Sequence, residues 1–147
     1  MKKKSERQKL IDKADSEMSR FIRLFHSDQN GTCQCVTCGV LKHWKGDGMH
    51  MGHFVPKGNG ASKVRYIPHN THPQCSGCNC SGGPYSTGHK QHIAPISYTQ
   101  FMQNEYGEDF VDDLKSRKFQ TVKYTNEDLI EIKLLYKEFA DELEKKL

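Results

Sequence analysis

Apolar positions recur at helical spacing in two long stretches, one at each end of the chain. Over residues 5–26, Leu10, Ala14, Met18, Phe21, Ile22 and Phe25 form one such stripe, which predicts an amphipathic helix. Ser5 with Gln8 offers a capping box at its start. Thr125 opens a second long helix, with Leu129, Ile132, Tyr136, Phe139, Leu143 and Leu147 on one stripe. Before it, residues 97–106 read as a helix closed by Gly107, and residues 108–116 as a short helix with acids in its first turn.

The centre, residues 32–92, is different in kind. It is rich in Gly, Cys and His and poor in aliphatic side chains, so burial alone cannot hold its shape. Short strands are expected at residues 49–55 and 63–67, joined by the Pro- and Gly-containing loop 56–61. The expected fold class is therefore α+β, a small centre flanked by amphipathic N- and C-terminal helices. Its parts are a basic N-terminal helix (1–31), a core (32–95) and a C-terminal helical region (96–147) within one compact domain.

Composition sharpens this picture. With 35% hydrophobic and 27% charged residues and a mean hydropathy of −0.81, no run approaches the roughly 20 apolar residues of a membrane helix. Met1–Lys4 leads into a polar stretch, so no secretory signal is expected. Net charge is only +4, but its distribution is informative. Residues 1–24 carry eight bases and four acids, whereas residues 126–147 carry seven acids and four lysines. From Gly31 to Asn104 the single acid is Asp47, against Lys42, Lys45, Lys57, Lys63, Arg65 and Lys90. A centre so poor in carboxylates suits contact with a polyanion, or is a solvated face that lacks acids.

Six cysteines lie in two clusters of three, and each cluster holds a Cys-x-x-Cys pair: Cys35/Cys38 and Cys75/Cys78. That spacing lets two thiolates reach one tetrahedral zinc from a tight turn. Gly39 and Gly77 suit such knuckles. Disulfides are the competing explanation, but nothing in the chain signals secretion. A structural zinc bound by four thiolates is expected. Cys33 and Cys80 are then spare, although Cys33 could replace Cys35 in another register of the turn.

Between the knuckles lie His43, His50, His53, His69 and His72 with Asn59 and Asn70, and Asn79 follows Cys78. Imidazole can take a proton from water near neutral pH or bind a divalent ion. Asparagine supplies a neutral oxygen to a hard ion or fixes an imidazole tautomer. Taken singly, each histidine is as well explained as a surface or supporting residue. Their order matters more: Gly52-His53-Phe54, then Asn70-Thr71-His72, then Cys75 to Asn79. It is similar to the layout of a ββα-metal, or His-Me finger, nuclease.

The run Cys35-Val-Thr-Cys38-Gly39, with Val64-Arg65-Tyr66 and Asn70 to Asn79, closely resembles the NinG/Rap family of lambdoid phage recombination proteins. Arg20-Phe21-Ile22-Arg23, Glu105-Tyr106-Gly107 and the terminal amphipathic helix agree, so the resemblance covers about residues 15–145. More distantly the chain is similar to phage recombination endonuclease VII and other HNH nucleases. The resemblance implies a phage or prophage protein of the bacterial cytoplasm that cleaves branched DNA, such as Holliday junctions, D-loops or flaps, during recombination. It implies His53 as the general base, Asn70 as the middle Asn, and Asn79 as a ligand for magnesium or manganese. His72 is a further ligand or orienter, and His53 is also counted among the residues that bind the ion. Lys57, Lys63, Arg65 and Lys90 are the expected DNA contacts.

Two departures stand out. Gly52 occupies the position where endonuclease VII-type enzymes carry an acidic ligand. The segment 82–95, with Tyr85, His89, Lys90 and His92, is longer than the family's usual path into the next helix. A zinc-built DNA-binding module without catalysis is the alternative. The C-terminal stripe and the two-fold character of a four-way junction suggest a homodimer, but the stripe could equally pack on the N-terminal helix of its own chain.

Overall fold

The computed structural model describes residues 2–46, 48–58, 62–80, 84 and 95–147. The first element, α1 (Glu6–Phe25), starts where expected: Ser5 Oγ accepts from the Gln8 backbone N–H at 3.1 Å. Gln8 does not complete the box, because its side chain bonds Asp12 instead. Ala14, Met18, Ile22 and Leu24 are buried, whereas Phe25 is 60% exposed, so the apolar stripe leaves the core a turn early. At the other end α5 (Asn126–Glu144) has a complete capping box formed by Thr125 and Asp128. Leu129, Tyr136 and Ala140 face inward, and Phe139 and Leu147 are partly exposed.

These two helices pack on each other within the chain. Phe21 meets both Tyr136 and Phe139 at ring-centroid distances of 5.5 Å. Arg20 spans Asp141 and Glu144, tying the end of α1 to the end of α5. No helix among the described residues is long and apolar enough to cross a membrane.

Between them lie two small antiparallel sheets, so the protein is a mixed α+β structure. Strands β1 (Thr32–Gln34) and β2 (Leu41–His43) form a hairpin whose turn carries Cys35 and Cys38. Strand β3 (Met49–His53) pairs with β4 (Thr71–Cys75) in the register His53↔Thr71, Gly52↔His72 and Met49↔Cys75. The short helix α2 (Ser76–Cys80) follows β4 directly. Helices α3 (Tyr98–Tyr106) and α4 (Glu108–Ser116) then close a second apolar cluster of Phe54, Val55, Val64, Tyr98, Met102, Val111 and Leu114.

The expected strand at residues 63–67 does not form. Arg65 N–H donates to Ser62 C=O and Ile67 N–H to Val64 C=O, which closes the segment into turns. The partner of β3 is instead β4, in which all five residues are buried. Such a strand shows no apolar–polar alternation to read. Its polar members are satisfied internally, for example Gln74 Nε2 on Thr37 Oγ1 at 2.8 Å. The loop residues 59–61 and all but Pro84 and Pro95 of 82–95, including Lys90, lie outside the described residues.

Candidate metal centre and adjoining cleft

Cys35, Cys38, Cys75 and Cys78 are brought together by the β1–β2 turn and by the junction of β4 with α2. Their sulfurs all lie within 4.8 Å of one another, and all four residues are buried. A tetrahedral zinc with bonds of about 2.3 Å requires sulfurs roughly 3.8 Å apart. Cys38 Sγ and Cys75 Sγ are 3.8 Å apart. The donor set therefore fits a zinc ion, and it selects Cys35 rather than Cys33. Buried Cys33 and exposed Cys80 remain outside the tetrad. The knuckle depends on Gly39, whose φ of +81° lets its N–H reach Cys35 C=O at 3.0 Å. Gly77 has no such need, since it lies in helical backbone.

The same scaffold orients His53. Because residues paired across antiparallel strands share a face, His53 and Thr71 lie on one side of β3–β4, Gly52 and His72 on the other. His53 Nε2 sits 2.9 Å from Arg65 C=O. A carbonyl can only accept, so Nε2 carries the proton and Nδ1 of the neutral ring is left as a base. Burial, with Lys57 and Arg65 nearby, lowers the His53 pKa to about 4, so the ring is neutral at pH 7. His53 and Asn79 line two adjoining cavities of about 380 and 540 Å³, the larger bounded on its far side by α1. Asn79 Nδ2 is 3.2 Å from His50 Nδ1, an arrangement that turns the amide nitrogen, not Oδ1, toward His50.

Asn70, completely buried, holds the loop between the strands. Its Oδ1 accepts from Val55 N–H at 2.8 Å, and its Nδ2 donates to Val55 C=O and Val64 C=O. This fixes both ends of the loop that leaves β3 after His53.

Two expected site residues have other partners. The Arg65 side chain is only 5% exposed and makes a two-pronged ion pair with Asp15 of α1. It therefore does not offer its guanidinium to a phosphate; its carbonyl orients His53 instead. His72 lies on the face away from His53, with Nδ1 3.0 Å from Tyr98 Oη and Nε2 2.8 Å from Tyr106 Oη. Tyr98 donates its proton to Gly52 C=O at 2.7 Å, so His72 Nδ1–H must donate to Tyr98 and Nε2 accept from Tyr106. Both ring nitrogens are occupied, so His72 is not available as a ligand; it supports the strand that carries His53. The geometry also accounts for Gly52. A Cβ there would meet Gln74 Oε1 at 2.0 Å, so an acidic side chain at this position has no room unless Gln74 moves. Lys57 and Lys63 are exposed.

Tyr98, Tyr106 and Asp15 are thus the contributors that sequence reasoning missed. All three act across long separations that no local spacing betrays. Burial, with His26 and His69 adding repulsion, lowers His72 to about 3. The unfolded chain takes up this proton near pH 6.5 and the native state does not until about pH 3. Stability should therefore fall as pH drops below 6.5, by up to about 1.4 kcal/mol per unit from this residue. Urea unfolding of zinc-loaded protein at pH 7.5 and 5.5 should show a steeper loss for wild type than for His72→Gln. Equal slopes would contradict this assignment.

Comparison with curated proteins finds no match, and comparison with solved structures finds none either. A family model does match: that described as Bacteriophage Lambda NinG protein, over residues 1–146. The chain therefore belongs to the bacteriophage lambda NinG protein family, a membership that suggests a role related to phage recombination.

Proposed function

We propose that the protein is a phage recombination endonuclease that hydrolyses phosphodiester bonds in branched DNA, built on a zinc-stabilised His-Me finger. The observation that carries this reading is the His53 ring, with Nε2–H committed to Arg65 C=O and Nδ1 left basic in the cleft that Asn79 also lines. The order of base strand β3, clamping Asn70, strand β4 and helix α2 with Asn79 supports it, as does a centre almost free of carboxylates.

In this reading a water beside the phosphate gives its proton to His53 Nδ1 as its oxygen attacks phosphorus, and the P–O3′ bond breaks. Lys57, exposed on the cleft wall, attracts the phosphate, and Lys63 extends the basic surface. Asn70 and Arg65 C=O keep the base from rotating away. Magnesium or manganese, when bound, would stabilise the leaving oxygen and the added charge. Asn79 Oδ1 is an oxygen this chain could offer such an ion, with His50 beside it; water and substrate phosphate would complete the shell.

One observation favours a second reading. Among the described residues, the four cysteines are the only group of three or more His, Cys, Asp or Glu positioned for a metal. That suits a zinc-built DNA-binding module without catalysis. Incubating zinc-loaded protein with labelled four-way, flap and linear duplex DNA and magnesium or manganese separates the two. Cleavage confined to the branched substrates is the expected result. Binding without cleavage of any of them would leave the module.

A further inference from the structure

The turn between α4 and α5 has no part in the site described above, yet its composition is unusual. Residues 115–124 contain Lys115, Arg117, Lys118 and Lys123 and no acid. At its apex Phe119 is 87% exposed, the most exposed large apolar side chain among the described residues. Covering that much aromatic surface on binding would be favourable.

Phe119 is presented rather than loose. Gln120 N–H donates to Arg117 C=O at 3.0 Å, closing a turn with Lys118 and Phe119 at its centre. The far side is pinned, as Lys63 N–H donates to Gln120 C=O, Thr121 bridges Ser62, and Tyr124 Oη donates to Ser62 C=O. Ser62 N–H in turn donates to Lys57 C=O, so the turn is tied to the loop that leaves the cleft. Lys118 Nζ lies 5.6 Å from the Phe119 ring centre. The nearby acids are partly committed: Asp113 pairs with Arg117 at 3.1 Å, and Asp128 caps α5. Lys63, Lys118 and Lys123 make no ion pair among the described residues.

A flat, exposed ring with cations on both sides of it in the chain suits nucleic acid. Bases stack on aromatic rings, and the phosphates on either side take the cations. A paired duplex hides its base faces; a flap, gap or branch point exposes them. We infer that this turn is a second DNA contact. Phe119 stacks on an unpaired base at a branch, and Lys118, Lys123 and Lys63 take the adjoining phosphates. The inference rests on the proposed action on DNA and adds how branched DNA is distinguished from linear duplex.

The test is equilibrium binding without added magnesium or manganese, so that nothing is cut. It uses full-length, zinc-loaded wild type, Phe119→Ala and Phe119→Trp on a flap substrate and a linear duplex of the same sequence. Phe119→Ala should bind the flap about tenfold more weakly and the linear duplex unchanged. Phe119→Trp should keep the flap affinity, and its emission should be quenched on binding, against the nearly constant signal of buried Trp44 in wild type. Unchanged flap binding by Phe119→Ala would overturn the inference, as would an equal loss on both DNAs. Wild type that binds neither DNA would overturn the action on DNA as well. Wild type that binds both, with no effect of Phe119, would overturn this inference alone.

Discussion

Stripping zinc from the protein with a strong chelator should unfold its centre and shift the emission of Trp44 to the red. Apparent binding energies of structural zinc sites are about 10–16 kcal/mol at neutral pH, as large as the whole net stability of a typical domain, about 5–15 kcal/mol. Little else orders the cysteine-bearing segments 32–44 and 75–80: β1 and β2 have three residues each, and the apolar cluster there is made largely of the cysteines themselves, with Leu24, Trp44, Met49 and Ala140. Trp44, 6% exposed and the only tryptophan, reports on that cluster directly. Far-UV circular dichroism should fall less than the tryptophan signal changes, because α1 and α5 also pack on each other. Metal analysis should find one zinc per chain, and Cys75→Ser should behave like the chelated protein. A folded sample with buried Trp44 and no zinc would contradict the site.

His53→Ala should lower the rate of DNA cleavage by about 100- to 10,000-fold, the usual worth of a positioned general base. Its effect on DNA affinity should be small, since the ring is neutral at pH 7 and contributes no charge to a phosphate. Loss of binding in parallel with cleavage would instead mean that the ring holds the cleft together. Thermal melting of the zinc-loaded variant distinguishes that case.

The helices were legible in the sequence because each carries its own signals. Ser5 caps α1 and Thr125 opens α5 as expected, and the apolar spacing of α1 and α5 marks the faces that meet. The zinc tetrad was legible for a similar reason, since each Cys-x-x-Cys is a complete local device. The strands were harder. In β4, Thr71, His72, Pro73 and Gln74 look polar or strand-breaking, yet all are buried, held by partners remote in the chain. Arg65 shows the limit most clearly. In the sequence it is one more basic residue in a basic centre; its commitment to Asp15, 50 residues away, exists only in the fold. His72 is similar, with its tyrosines 26 and 34 residues distant. Sequence order and the family resemblance singled out His53, Asn70 and Asn79, which lie on a strand, a loop and a helix that follow in that order. It could not say which nitrogen of His53 is free, or that Gly52 faces Gln74.

The most direct measurement is single-turnover cleavage of a labelled four-way junction by saturating, zinc-loaded wild type and His53→Ala, with magnesium or manganese, alongside binding of the same DNA. The nuclease reading predicts cleavage by wild type, equal binding by the variant, and a cleavage rate at least about 100-fold lower for it. Binding by both proteins with cleavage by neither, or cleavage by both at the same rate, would contradict it.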